Sequence, residues 1–392
     1  MIKKRKIFFW LLVGLVGCLL CCVLILGGYI LWGKPLVNNQ MPTPTPMDTL
    51  SREATLSAYG YEMDQYFQQK DMQNWMTTAD KAVALDPTNY RTYFYRAEVF
   101  KASAQDQIGL QQYMDILTRG LQDIDKAISL ENSDGDLFLL RSKILSDMAA
   151  GYPYRADRNY FYQKALENAR VAEKLGSPQK LHPERQVVMY LTYLGDCSSA
   201  MDQINRLSDS PPDEDSKTLT LDNVNELTFA CQGEYQKAYD KFSAYLMTTN
   251  NSDGFSLAEA VYLYQLGKLD EALKIVDRGT SGQKERNGDF YFVRALVEYD
   301  QGMDKQALQD ADLADRYSWS ANSFTSYIEG LEDVRNGKKD LAVQKLQYAE
   351  ATLDILFNSA IHRAHLELEK LDAKPLQITP AVHISATSIP SN

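Results

Sequence analysis

Glycine recurs in the second half of this chain at a nearly fixed step, and alanine follows each copy at the same distance. Gly233, Gly267, Gly302 and Gly337 lie 34, 35 and 35 residues apart, and each is followed five residues later by Ala238, Ala272, Ala307 or Ala342. Self-similarity at such a period marks stacked supersecondary units rather than one folded core. Between the glycines the apolar spacing is helical, as in Leu269, Ala272, Leu273 and Val276. Glycine suits a helix end because it enters the left-handed region without a Cβ clash. Alanine just beyond it lets two helices approach closely. Each unit is thus a helix–turn–helix whose apolar faces require a neighbour, and the fold expected is all-α, a solenoid of stacked hairpins.

Composition fits such an array and excludes one partner class. Of 392 residues, 45% are apolar, enough for a long core, and 24 are tyrosines. The formal charge is −11, and it falls to −15 once the cluster Lys3, Lys4, Arg5 and Lys6 is set aside. An acidic body without a basic stripe repels phosphate backbones, so nucleic acid is not the expected partner.

Residues 7–32 form a run of 26 residues without a charge. As a helix the run would span roughly 39 Å, more than the ~30 Å hydrocarbon core. Trp10, Tyr29 and Trp32 stand near its ends, where amphipathic rings favour the headgroup layer. The basic stub 1–6 would stay in the cytoplasm, so a single-pass plasma-membrane anchor would export everything after it. A second reading stays open. Leu15-Val16-Gly17-Cys18 resembles the lipobox of bacterial lipoproteins, which would make Cys18 the lipidated residue. Residues 33–50 carry Pro35, Pro42, Pro44 and Pro46 and read as an extended, semi-rigid spacer. At the far end, 372–392 lacks helical periodicity and reads as a disordered tail.

The repeat itself resembles the tetratricopeptide repeat (TPR), a 34-residue helical hairpin with small residues at its eighth, twentieth and twenty-seventh positions. Ala295 and Gly330 take the eighth position, and Gly279, Ala314 and Ala349 the twenty-seventh. An earlier copy is carried by Trp75, Ala79, Ala82 and Pro87, and Gly195 with Ala200 repeats the turn. The family's early aromatic is present at Tyr59, Tyr93 and Tyr291. The resemblance implies a right-handed superhelical solenoid of about seven or eight hairpins over 51–352, clearest over 219–352, with 353–371 as a solvating cap helix. Around 97–127 and 142–172 the small-residue spacing is stretched by about eleven residues, and longer inter-helix loops are expected there.

In TPR arrays the first helix of each unit lines the concave face. Carried over, this lining is Leu257, Val261 and Tyr264, then Phe292, Leu296 and Tyr299, then Tyr327, Leu331 and Arg335. It is apolar and tyrosine-rich, suited to a peptide or protein segment held through aromatic contacts. Several of these rings could equally be core between repeats. In the same frame Cys197 and Cys231 fall on one edge of the stack, where either a disulfide or two buried thiols fits. His362 and His365 are one turn apart without a third ligand, and read as a surface pair rather than a metal site.

No phosphate loop, dinucleotide fingerprint or nucleophile elbow occurs in the sequence, so neither a cofactor nor an enzymatic activity is expected. The reading is a membrane-anchored, extracytoplasmic scaffold for protein–protein interaction, self-association included. A lipoprotein serving secretion or pilus assembly, and a glycan-binding envelope module, are the alternatives.

Overall fold

The computed structural model describes residues 49–105, 109–176, 183–208, 225–248, 257–281, 288–318 and 323–381. The chain divides into compact units at 1–58 and 59–392. Of the first, only 49–58 is described, as the opening turns of helix α1 (Thr49–Gln69), so helix begins two residues inside the expected spacer. The uncharged run 7–32, with Cys18, lies outside the described residues. Among the described residues, no helix is long and apolar enough to cross a membrane.

From Tyr59 onward the described residues are helices and turns, with no strand among them. After α1 come α2 (Met72–Leu85), α3 (Tyr90–Ala104), α4 (Leu110–Leu130), α5 (Gly135–Ala149) and α6 (Arg155–Leu175). Next are α7 (Pro183–Tyr193), α8 (Cys197–Ser208), α9 (225–231), α10 (Tyr235–Thr248), α11 (Leu257–Gln265) and α12 (Leu269–Ser281). The last are α13 (Gly288–Asp300), α14 (Asp304–Tyr317), α15 (Ser323–Arg335), α16 (Lys339–Thr352), a 3-10 turn (Ile355–Phe357) and α17 (Asn358–Lys370). Helices α3 and α4, α5 and α6, α7 and α8, α11 and α12, α13 and α14, and α15 and α16 pack as successive helical hairpins. Aspartate or asparagine caps several starts: the Asp71, Asn89 and Asp134 side chains accept from the backbone N–H of Asn74, Arg91 and Asp136, satisfying donors the helix leaves open.

The periodic glycines close the first helix of their hairpins. Gly233, Gly267, Gly302 and Gly337 have φ between 71° and 78°. In each case the next residue returns its N–H to the carbonyl five positions back: Glu234 to Phe229, Lys268 to Leu263, Met303 to Glu298 and Lys338 to Asp333, at 2.8–2.9 Å. This is the Schellman closure, which needs a left-handed residue at that one position. Ala238, Ala272, Ala307 and Ala342 are each 0% exposed, and at this contact a larger side chain would push the helices apart.

Two units depart from the expected pattern. The extra residues of the stretched repeats lengthen helices rather than loops, since α4 and α6 each run 21 residues against 14 for α14. Their stripes continue through the added turns, with Tyr113, Leu117, Leu121, Ile124 and Ile128 of α4 all buried.

A recurrent ion pair stitches neighbouring hairpins. Arg96 on α3 donates to both oxygens of buried Asp123 on α4, at 2.7 and 2.8 Å, and reaches back to Asp80 on α2 at 3.1 Å. Arg294 on α13 repeats this with buried Asp310 on α14 and with Asp277 on α12. The guanidiniums lie over Tyr93 and Tyr291, 5.9 and 5.2 Å from the ring centres. Two of the tyrosines that recur early in the repeat thus support these arginines.

The core forms two large clusters, one from Phe94 to Ile204 and one from Ala238 to Leu368. Between them Cys197 and Cys231 are joined by a disulfide with Cα atoms 5.7 Å apart, and the Thr192 and Thr228 hydroxyls meet at 3.0 Å. The C-terminal segment makes a second crossing. Helix α17 lies within the expected cap segment 353–371, packs on α16 and turns its apolar face to the repeats, while 372–381, expected as a disordered tail, is held against them at two points. Gln347 donates to the Lys374 carbonyl, and the Ala381 N–H reaches Asp157 on α6 at 2.8 Å.

Candidate functional site

First helices α11, α13 and α15 place side chains of one register on a common inner face. Val261, Phe292, Leu296, Tyr299, Tyr327 and Leu331 are there, as the repeat frame requires, but all are 0–4% exposed. Leu257 and Tyr264 are half-buried, and only Arg335 is exposed. The expected open groove is therefore filled, and the filler is the chain's own segment after α16. Phe357 meets Phe292 and Phe324 edge to face, at ring separations of 4.8 and 5.7 Å, while Phe292 and Phe324 stack at 4.3 Å. Ile361, Ala364 and Leu368 continue the stripe along α17 into the same cluster. Their spacing of four, three and four residues keeps one face on the bed.

Polar contacts fix the register of that helix. Arg363 of α17 pairs with Asp300 at 2.9 Å and lies 5.4 Å from the centre of the Tyr299 ring. Arg335 lies 4.4 Å from the same ring and pairs with Asp304 at 2.6 Å. The Tyr264 hydroxyl donates to Asp300 at 2.6 Å, and burial together with that bond raises its pKa. Gln265 of α11 donates to Ser359 at the start of α17. The resident segment thus spans three successive first helices.

Its upstream end is clasped by α6. The Arg158 guanidinium is 7% exposed and donates to the carbonyls of Tyr152, Pro153, Thr352 and Leu353 at 2.6–3.1 Å. Two cavities flank Asp354, just beyond the clasp. One, of about 300 Å³, is lined by Tyr162, Tyr193, Tyr235, Val261, Cys231 and the underside of Ile355, Leu356 and Asn358. The other, of about 320 Å³, lies between Arg158, Tyr152, Tyr317 and Asp289. Burial, and secondarily the charge of Asp354, push the Asp289 carboxyl up to about 7.

Further up the array the same register is charged. Glu98 on α3 and Lys143 on α5 hold the position that Leu296 holds on α13, Lys101 holds that of Tyr299, and Asp147 that of Asp300. Lys101 pairs with Asp147 at 3.1 Å. Burial pushes Glu98 up to about 7 and lowers Lys143. Alternating signs along this stretch keep it polar without making it basic. Glu226 on α9 is a further departure, standing where the repeat frame has a small residue. It is 6% exposed, its Oε2 has no hydrogen-bond partner among the described residues, and burial pushes its pKa up to about 8.

That shift fixes the sign of a pH effect. A carboxyl whose folded pKa exceeds its unfolded value near 4.5 favours folding in its neutral form. Its contribution is full below about 4.5 and is lost as pH rises through about 8. Glu226→Gln is expected to remove this loss, so thermal unfolding at pH 6 and pH 9 should show the variant gaining on the wild type by about 1–3 kcal/mol at the higher pH. Equal pH slopes in the two proteins would contradict the burial argument.

Of the paired histidines, His365 contacts Glu350 at 3.0 Å and Glu369 at 3.3 Å. No group of three metal-ligating side chains occurs among the described residues.

No protein family model matches the chain, and no curated protein matches it. Among solved structures it is similar to a tetratricopeptide repeat protein from Parabacteroides merdae, at 12% identity and a TM-score of 0.48, over 67% of this chain and 93% of that one. It is also similar to the TPR domain of P58(IPK), at 14% identity and a TM-score of 0.23, over 80% and 98% of the two chains. Yeast Tom70 matches at 14% identity and a TM-score of 0.26, over 84% and 79%.

Proposed function

We propose that this chain is a non-enzymatic scaffold that recognises protein segments on the inner face of its TPR-like array, tethered to the outer side of the plasma membrane. The observation that carries the reading is the bed under α17. First-helix aromatics there already hold a helical segment through rings, an apolar stripe and an arginine–aspartate pair, the contact types that dominate peptide recognition. The Cys197–Cys231 disulfide supports an oxidising compartment. The uncharged run 7–32 behind its basic stub supports a tether with the array outside. Confinement to the membrane would raise the effective concentration of the array for partners there.

A photo-crosslinking residue at the exposed Arg335 position, in cells, tests the binding half. A discrete protein adduct that disappears when the crosslinker is moved to the outer helix face is expected. Adducts of equal yield from both faces would end the reading. Intact mass of the membrane-extracted protein tests the tether, because loss of residues 1–17 with a lipid increment would replace the spanning helix by an acylated Cys18.

A further inference from the structure

The bed occupied by α17 is built for a helix but imperfectly filled by the one it holds. Resting on the scaffold reading above, we infer that residues 355–368 are a resident stand-in for a partner helix, and that the partner binds by displacing them. The occupant's chemistry can be read from the stand-in. It carries an aromatic residue, aliphatic residues four and eleven positions later, a small residue at seven, and an arginine at six, copying Phe357, Ile361, Leu368, Ala364 and Arg363. It is an amphipathic helix with one cation facing Asp300 and Tyr299.

Two features make the resident replaceable. The cavity of about 300 Å³ lies directly beneath Ile355, Leu356 and Asn358, and unfilled apolar space forfeits contacts that a bulkier side chain would regain. The chain runs from α16 into the resident through Leu353 and Asp354, both extended, so the resident can leave without unwinding the preceding helix once the His365 contact to Glu350 on α16 is released. Being tethered, it competes at millimolar effective concentration. A partner must therefore fit better, and a large apolar residue over the cavity is the way to do so.

The experiment uses the full chain, a labelled synthetic peptide of residues 353–372, and the same peptide carrying Leu356→Trp. Protein variants are Arg363→Glu, which turns the Asp300 contact repulsive, and Phe357→Ala as a second way of loosening α17. Fluorescence anisotropy reads binding, and amide exchange reads opening of α17. Either variant with unchanged helicity is expected to bind the native peptide at least tenfold tighter than the wild type does, with faster exchange confined to α17. The Leu356→Trp peptide is expected to bind several-fold tighter than the native one. Equal affinity of wild type and variants, with α17 exchange accelerated or not, overturns displacement. A tryptophan peptide no tighter than the native one overturns the cavity-filling partner. If peptide capture fails while the Arg335 crosslink persists, only the bed is lost as the docking surface and the scaffold reading stands.

Discussion

Arg158→Ala is expected to lower the unfolding free energy by about 3–5 kcal/mol, among the largest losses any single side chain of this array should give. The guanidinium binds carbonyls on both sides of the crossing, two from the loop before α6 and two from the end of α16. Thr352 and Leu353 are 2% and 1% exposed, so water does not readily replace the lost donors. Removing one partner of a buried polar set costs more than the set contributes net, because acceptors are left without donors. Denaturant unfolding measures the loss, and amide exchange over 353–370 should rise in the same variant. Arg158→Lys, with one compact donor group in place of a planar fork, is expected to recover only part of it. A change below about 1 kcal/mol for the alanine variant would show that the crossing is held by apolar contacts alone.

Cys197→Ser with Cys231→Ser is expected to cost a comparable amount. The disulfide closes a loop of sequence separation 34, for which the chain-entropy relation gives roughly 4 kcal/mol. The cross-link joins the start of α8 to the end of α9, where the two core clusters meet, so it supports a junction with little apolar packing across it. Guanidinium unfolding of the oxidised wild type and the double serine variant gives the difference directly. Adding a reductant should bring the wild type to the variant's midpoint and leave the variant where it is. Coincident midpoints before reduction would mean that the bond constrains nothing the packing does not already fix.

The hairpins were legible in the sequence because their determinants are local. Gly302 must be left-handed and Ala307 must be small for reasons contained within one turn of chain, and both signals repeat in register. The long helices α4 and α6 were not legible from family spacing, which counts residues between small positions and is silent on whether the surplus is coiled. The stripe from Tyr113 to Ile128 was the available signal. The buried state of Phe292 and Tyr299 was hidden for a different reason. What covers them, Phe357 and Ile361, lies about sixty residues further on, and an amphipathic helix at that place has the same pattern whether it faces solvent or folds back across the array. Glu226 was missed because one carboxylate among 52 acidic residues carries no mark of burial until its neighbours are known.

Open stacks of repeats melt from their ends, each unit depending only on the next. Here the end of α16 reports to the third hairpin through Arg158, so the hairpin of α15 and α16 cannot peel away while the middle stays folded, even when α17 has left its bed. From α5 to α16 the hairpins should therefore lose their structure in a single step, and a truncation that removes Thr352 and Leu353 should weaken hairpins far upstream of the cut.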